Sequence, residues 1–424
     1  MNFTKRQLNA LEKVFFKIDL SSPFNVLINI QLIGDIKREF IEEALSRLQR
    51  TSSYLRCFIL EGENPEFIYI DKPILLEEIE YNNNQERIEL IQKEVNTRSV
   101  YNTHPLAKLI VLRNGSNINL ILKISHIISD GISVYNAAMK LLSYVKDIEN
   151  GLPSISYEVN EIYPDLKLFP DWDCHKITEL ERIKELENMD NYVCDINNRF
   201  THIIERDLSV EESYQVFSFC KQNKISVNSF LMACLVKPMA EKIEAEGYNS
   251  AILKTSSGLN LRKSYNYDVE DRVLGFWSGF GYLFYNIEHG IDIIDFSRRY
   301  QADLKSYLAN NSSFYYLKTV VDNYLDKSVQ EISSDYNKKI PYVLLTNIGK
   351  LNIGRNYTDR FAIKKINLMT PMHRNWINDL GFGICASTTN DKLNLIFNYM
   401  SPAWKQKNAQ TFADSILALI KNPS

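Results

Sequence analysis

The chain has 424 residues, 45% hydrophobic and 24% charged, the balance of a globular protein large enough for two or three domains or two large lobes. Its 49 basic and 52 acidic side chains leave a formal charge of −3, so no global field selects nucleic acid or an anionic membrane. An aromatic content of 12% suits a large core or an apolar tunnel.

Lys5–Phe16 has the spacing of an amphipathic helix without an uninterrupted apolar stretch, so it is not read as a signal peptide. Val26–Ile33 reads as a strand, and Ile36–Arg50 as a helix with Phe40, Ala44, Leu45 and Leu48 on one face. Tyr54–Leu60 and Glu66–Ile70 read as strands around a turn at Gly62–Pro65, followed by a helix over Gln85–Arg98. Ala107–Arg113 and Ile118–Ser125 form a predicted hairpin over Asn114-Gly115-Ser116-Asn117. Val134, Ala138, Leu141, Leu142 and Val145 then recur at helical spacing, and the lobe closes near Gly151-Leu152-Pro153. Between this strand and helix lies His126-Ile127-Ile128-Ser129-Asp130-Gly131. A histidine is delivered at a strand end, a carboxylate follows in the turn, and Gly131 is expected to supply the backbone freedom to bend into the helix.

Residues 151–195 hold eleven acidic and four basic side chains with early prolines, which reads as a solvated connection with one helix over Ile177–Met189. Beyond it, Phe200–Arg206 is strand-like, Ser209 caps a helix to about Gln222, and Ser226 caps a longer one to Glu246, with a kink expected at Pro238 and a stop at Gly247. Strand patterns follow at Ala251–Leu259, Tyr282–Ile287, Tyr342–Ile348, Phe361–Ile366, Gly381–Ser387 and Leu393–Tyr399, then a last helix over Trp404–Ile420. The expected organisation is an α/β protein of two lobes, 1–150 and 196–424, joined by the acidic segment 151–195, each lobe a mixed sheet flanked by helices, with a cleft between them.

Six scattered cysteines with no C-x-x-C pair read as reduced and buried in a cytoplasmic protein. Cys174-His175 has no partner pair at zinc spacing, so no metal is inferred. Neither a P-loop, a G-x-G-x-x-G nor a G-x-S-x-G occurs, and no apolar run approaches the ~18–20 residues of a membrane span.

H-x-x-x-D-G after an apolar strand and before a helix resembles the core motif of the chloramphenicol-acetyltransferase-like superfamily, which includes nonribosomal peptide condensation domains, alcohol and polyketide-associated acyltransferases and the plant BAHD acyltransferases. Four further segments occur in family order: Leu55-Arg56, Asn260-Leu261-Arg262 with Leu274-Gly275-Phe276, Thr346-Asn347-Ile348-Gly349, and Cys385–Tyr399. Ser125 stands where many condensation domains carry a second histidine, and Asp379–Gly383 is a displaced echo of the BAHD D-F-G-W-G motif.

The resemblance implies a cleft-centred tunnel and direct acyl transfer without an acyl-enzyme. His126 would be the general base, a role that suits an imidazole of unperturbed pKa ~6.5. Asp130 invites a triad reading, whereas the family implies that it turns away and pairs with an arginine, for which Arg262 is the candidate; otherwise Arg262 is an ordinary surface charge. Thr346 and Asn347 are candidate oxyanion donors, with Gly131's backbone, or cap the turn before Gly349. Six basic residues against one acidic between Ile340 and Arg374, Lys364 and Lys365 among them, either contact donor phosphates or form a solvated face.

The expected activity is transfer of an acyl group from an acyl-CoA or acyl-carrier thioester to a hydroxyl of a small molecule, with no permanently bound cofactor. Nothing in these residues reads as a carrier or adenylation domain, which puts this first. The alternatives are a free-standing condensation enzyme forming an amide from carrier-bound donors, or a silent carrier-docking domain, against which the presence of His126 argues. Expected partners are the acyl donor and acceptor and an acyl or peptidyl carrier protein, with no nucleic acid.

Overall fold

A computed structural model describes residues 5–100, 102–153, 163–170, 198–245, 252–286, 290–335, 341–351, 353, 357–372 and 381–423. Its strands are β1 (Lys5–Gln7), β2 (Asn25–Gly34), β3 (Cys57–Leu60), β4 (Glu66–Tyr69), β5 (Leu75–Glu80), β6 (Ala107–Asn114), β7 (Asn117–Ser125), β8 (Phe200–Asp207), β9 (Ile252–Asn260), β10 (Ser278–Asn286), β11 (Tyr342–Leu351), β12 (Phe361–Met369), β13 (Phe382–Thr389) and β14 (Lys392–Ser401). The helices are α1 (Ala10–Ser21), α2 (Arg38–Gln49), α3 (Asn84–Asn96), α4 (Gly131–Glu149), α5 (Val210–Gln222), α6 (Val227–Ala245), α7 (Ile293–Ala309), α8 (Ser312–Tyr324), α9 (Val329–Asp335) and α10 (Gln406–Lys421).

Local chemistry accounts for where the elements depart from the sequence reading. The first helix starts at Ala10, not Lys5, because Asn9 and Glu12 form a reciprocal capping box, which leaves Lys5–Gln7 to pair with β4. Residues Ser53–Arg56 wind into a 3-10 turn before β3 instead of extending it. Strand β5 was not anticipated: its glutamates break the alternation, and it lies at a sheet edge, parallel to β6. Helices α7 to α9 were also missed, although Asp292 caps α7 by accepting from the Asp295 amide. The second lobe's first helix begins on the expected Ser209, again in a capping box, with Glu212. The helix expected over Ile177–Met189, the stop at Gly247, and Cys174 and Cys194 lie outside the described residues; Cys57, Cys220, Cys234 and Cys385 are buried.

Two large sheets carry the lobes. The first has strand order β12-β2-β7-β6-β5 and the second β10-β9-β11-β13-β14-β8; β1, β4 and β3 form a small third sheet. In the first sheet Val26, Ile28 and Ile30 of β2 and Leu120 and Leu122 of β7 face a core completed by Leu45 and Leu48 of α2 and Val134, Ala138 and Leu141 of α4. In the second, Val343, Leu345, Ile384 and Phe397 face Leu231 and Leu235 of α6 and Ala413 and Ile416 of α10. The opposite faces of the two sheets meet through Leu27, Ile110, Ile121 and Met369 on one side and Ile203, Cys385 and Ile396 on the other. Alternation puts both sets on one strand pair, which is why β2 and β7 read as apolar on both faces.

Strand β12 crosses the boundary between the lobes. It follows β11 of the second sheet in sequence, yet pairs antiparallel with β2 along the edge of the first. A bulge between Ile363 and Lys365 shifts its phase, so that Phe361, Ile363, Ile366 and Leu368 all reach the first core. The same shift places Lys365 on the other face, where its ammonium lies 2.8 Å from Asp207 and 3.6 Å from Glu205. Arg87 of α3 binds Glu205 at 2.7 Å beside it. Among the described residues, no helix is long and apolar enough to cross a membrane.

Because Ile366 is fully buried in the first core, Ile366→Ala should destabilise the protein by about 2–5 kcal/mol in urea unfolding. Hydrogen exchange should quicken in Asn25–Gly34, its pairing partner, before it does in β13 and β14; a uniform increase would show that the strand belongs energetically to the second sheet.

Candidate active site

Strand β7 ends at Ser125, and the turn that follows is closed on itself. Ser129 Oγ donates to the Ser125 carbonyl at 2.8 Å, and the Ile128 amide donates to the same oxygen at 3.2 Å. The His126 amide donates to Phe24 O at 2.8 Å, which pins the turn to the chain entering β2. The imidazole stacks on Phe24, with ring centroids 4.4 Å apart, and meets Phe276 at 5.1 Å. Its Nδ1 lies 2.6 Å from the Ser129 carbonyl. A carbonyl only accepts, so Nδ1 carries the proton in the neutral ring and Nε2 is left as the basic nitrogen. Burial pushes the imidazole pKa below its ordinary value, against the smaller opposing pulls of the Ser129 carbonyl and the Asp130 charge.

Asp130 is the N-cap of α4 and does not orient His126. Its Oδ1 accepts from the Ser133 amide at 2.7 Å and Arg262 Nη2 at 3.1 Å, while Oδ2 accepts from Arg262 Nη1 at 3.0 Å and the Trp277 amide at 2.9 Å. Both charged side chains are 1% exposed. Arg262 also donates to Ser133 Oγ at 2.7 Å and to Asn260 Oδ1 at 3.2 Å, and Ser133 Oγ donates to the Gly275 carbonyl at 2.8 Å. A side chain at Gly275 would meet the Trp277 indole at 2.3 Å, so that residue's missing Cβ lets the 275–277 loop fold onto Asp130. Gly131 serves differently from its expected role. Its φ is not positive, and an added Cβ would stand at ordinary contact distance from Leu368 and Ile348.

These elements enclose a cavity of about 1030 Å³, counted with its open mouth, between the lobes. Phe24, His126, Asp130 and Gly131 line it from the first lobe, and Asn260, Ser278, Tyr282, Tyr342, Thr346 and Asn347 from the second. Leu368 and Thr370, at the end of the crossing strand, complete the wall. Asn347 Oδ1 accepts from the Gly349 amide at 2.9 Å, so its carbonyl caps the turn and only the amide nitrogen remains as a donor. Among the described lining residues His126 is the one histidine, and the one carboxylate, Asp130, is already spent on Arg262.

Among the described residues, the basic cluster does not gather at this cavity. Lys364 is exposed and does not line it. The expectation for Lys365 is corrected: it is 7% exposed and paired with Asp207 and Glu205, because the bulge beside it turns it inward. Lys350 pairs with Asp391 at 2.9 Å, and Arg355 and Arg374 lie outside the described residues. Phe382 and Gly383 of the displaced D-F-G-like segment sit inside β13, while Asp379 is outside the described residues. Sequence reasoning missed Phe24, Phe276 and Trp277, which come from distant segments. Ser133 had a visible signal, since it stands three residues after the capping Asp130.

By sequence alone the chain matches no family model and no curated protein. Its structure is similar to that of trichothecene 15-O-acetyltransferase from Fusarium sporotrichioides, at TM-score 0.73 and 10% identity, over 98% of this chain and 95% of that one. It is similar to polyketide synthase associated protein 5 from Mycobacterium tuberculosis at TM-score 0.70 and 14% identity, covering 98% and 96%. The epimerization domain from the third module of tyrocidine synthetase B follows at TM-score 0.69 and 13% identity, covering 98% and 96%. The likeness spans both lobes and shows a shared fold. The names of these proteins cover more than one reaction, so the fold leaves the chemistry to the site.

Breaking a buried ion pair from one side leaves an uncompensated charge worth ~3–5 kcal/mol. Asp130→Asn and Arg262→Gln should each destabilise on that scale, and the double variant by clearly less than their sum, in a double-mutant cycle on unfolding free energy. Additive effects would show that the two charges are not coupled. A stable Asp130→Asn with a large fall in kcat would restore the triad.

Proposed function

We propose that this chain, which has the chloramphenicol-acetyltransferase-like fold, is an acyltransferase that moves an acyl group from a thioester to a hydroxyl of a small molecule. The observation that carries this reading is the Nδ1–H tautomer of His126, held by the Ser129 carbonyl at 2.6 Å on a side chain that lines the cavity. A single base with a free Nε2 is what attack on an activated carbonyl requires. With Asp130 committed to Arg262, the described lining offers no second carboxylate for a two-residue proton shuttle across a carbon centre.

In this reading Nε2 removes the hydroxyl proton as the oxygen attacks the thioester carbonyl. The tetrahedral intermediate's oxyanion is met by the Thr346 hydroxyl, the Asn347 amide or the amino-terminal end of α4, where Gly131 and Ile132 line the cavity. Collapse breaks the carbon–sulfur bond, and the imidazolium returns its proton to the departing thiolate. The acyl group passes directly between substrates. Asp130 and Arg262 act by position, fixing the start of α4 against the 275–277 loop so that the turn carrying His126 keeps its geometry. Donors are coenzyme A thioesters or phosphopantetheine thioesters on a carrier protein. An amine acceptor would need the same base, and the similarity to condensation domains keeps amide formation as the second reading.

The test is release of free thiol from a panel of acyl-CoA and carrier-loaded thioesters, with mass spectrometry of the products from alcohol and amine acceptors. His126→Ala should remain folded and lose about 10²–10⁴ in rate; near wild-type turnover would remove His126 from the base role. Because the imidazole pKa lies below its ordinary value, kcat/KM should hold through neutral pH and fall only as acid protonates Nε2. An acid limb centred above ~6.5 would contradict a desolvated base.

A further inference from the structure

The sheet face that supplies Gly258 and Asn260 to the cavity also carries Lys254, a cation that the acyl-transfer chemistry does not use. Along β9 the side chains of Lys254, Ser256, Gly258 and Asn260 alternate onto one face, and Gly258 and Asn260 line the cavity. Lys254 is paired in register with Phe284 of β10 and Tyr342 of β11. Its ammonium lies 4.0 Å from the ring centre of Tyr282 and 5.3 Å from that of Tyr342, and both tyrosines line the cavity. Among the described residues no carboxylate lies within ion-pair distance of it. Burial alone brings its pKa down to about 8, so it remains a cation at neutral pH.

Lys254 is half-buried, and an ammonium drawn out of bulk water with no carboxylate beside it among the described residues is held at a cost that ring faces offset only in part. The second core shows the alternative: its sheet positions are filled by Val343, Leu345 and Ile384, at no such penalty. A lysine kept against two tyrosines that line a ligand cavity therefore points to a ligand that supplies the missing charge.

We propose that Lys254 anchors a carboxylate carried by a substrate of this cavity, at the end remote from the reacting centre. The inference rests on the acyl-transfer reading of the cavity. Tyr342, beside Lys254, is four residues along β11 from Thr346, which places the anchor about 13 Å from the level of Thr346 at ~3.3 Å per residue. The substrate is accordingly an ω-carboxylated chain or ring system, amphipathic, with an apolar middle that packs on Phe280, Tyr282 and Leu344. The titratable groups facing the ammonium are the hydroxyls of Tyr282 and Tyr342, with Tyr316 of α8 packed behind Tyr282 at 4.3 Å between ring centres. Burial holds all three above the ordinary tyrosine range, so they stay neutral while the lysine titrates.

The experiment measures binding of ω-hydroxydecanoate and of its uncharged methyl ester by calorimetry at neutral pH. Wild type should bind the acid at least about tenfold more tightly, a modest gain for one desolvated charge pair. Lys254→Met should abolish that preference and leave the ester's affinity unchanged, while Lys254→Arg should keep it. In wild type the preference should fade as pH rises through about 8, because the neutral amine no longer attracts an anion. Lys254→Met should also unfold at an equal or higher temperature, since it removes an uncompensated charge. His126→Ala should lose turnover yet retain the acid preference, which separates the base assignment from the anchor. Equal affinity for acid and ester in wild type, an undiminished preference in Lys254→Met, or no binding of either probe at millimolar concentration would overturn the proposal.

Discussion

The Asp130 carboxylate is the point at which the two lobes, one helix start and the turn carrying His126 converge. Four donors reach its two oxygens, from Ser133, Trp277 and both terminal nitrogens of Arg262. Two come from the second lobe's guanidinium, and one from a loop that lies against the lobe boundary. A buried carboxylate tolerates desolvation only when its lone pairs are filled, and here they are filled by groups that cannot move without moving the lobes. The histidine four residues earlier inherits that rigidity through a turn closed by Ser125 and Ser129.

That arrangement separates two jobs that a triad would combine. In a triad the carboxylate touches the imidazole and sets its tautomer. Here a backbone carbonyl does so, and its pull toward the protonated ring is smaller than the effect of burial. Stacking between Phe24 and Phe276 removes water from the imidazole and favours its neutral form. The imidazole is therefore neutral at neutral pH, with Nε2 unprotonated, while the Asp130 charge is spent chiefly on architecture.

The cavity depends equally on the crossing strand. Because β12 pairs with β2 instead of joining the second sheet, Leu368 near its end and Thr370 just beyond it become a wall shared by both lobes. Ion pairs beside it, from Lys365 of β12 to Asp207 and Glu205 of β8 and from Arg87 of α3 to Glu205, tie the first lobe to the second sheet away from the cavity. Between these ties the sheet faces part, and the space is lined by the small residues Gly258, Ser278 and Gly279 and then by tyrosines.

Periodicity and motif spacing by themselves determined the α/β class, the two-lobed fold, most strand positions and the presentation of His126 at a strand end. These depend on local alternation, caps and turn residues, which one stretch of chain contains. The same local rules misplaced the first helix, because a capping box outranks an apolar stripe, and cut β12 short, because a bulge reverses its alternation at Lys364. Asp130 was visible as a candidate with two open roles. Only the tertiary structure decided between them, since its partners lie more than a hundred residues away at Arg262 and Trp277. The flanking rings Phe24 and Phe276, the inward turn of Lys365 and the placing of Lys254 against Tyr282 and Tyr342 were likewise beyond the sequence. Each is a contact between segments distant along the chain, and no spacing rule encodes which distant segments the two sheets bring face to face.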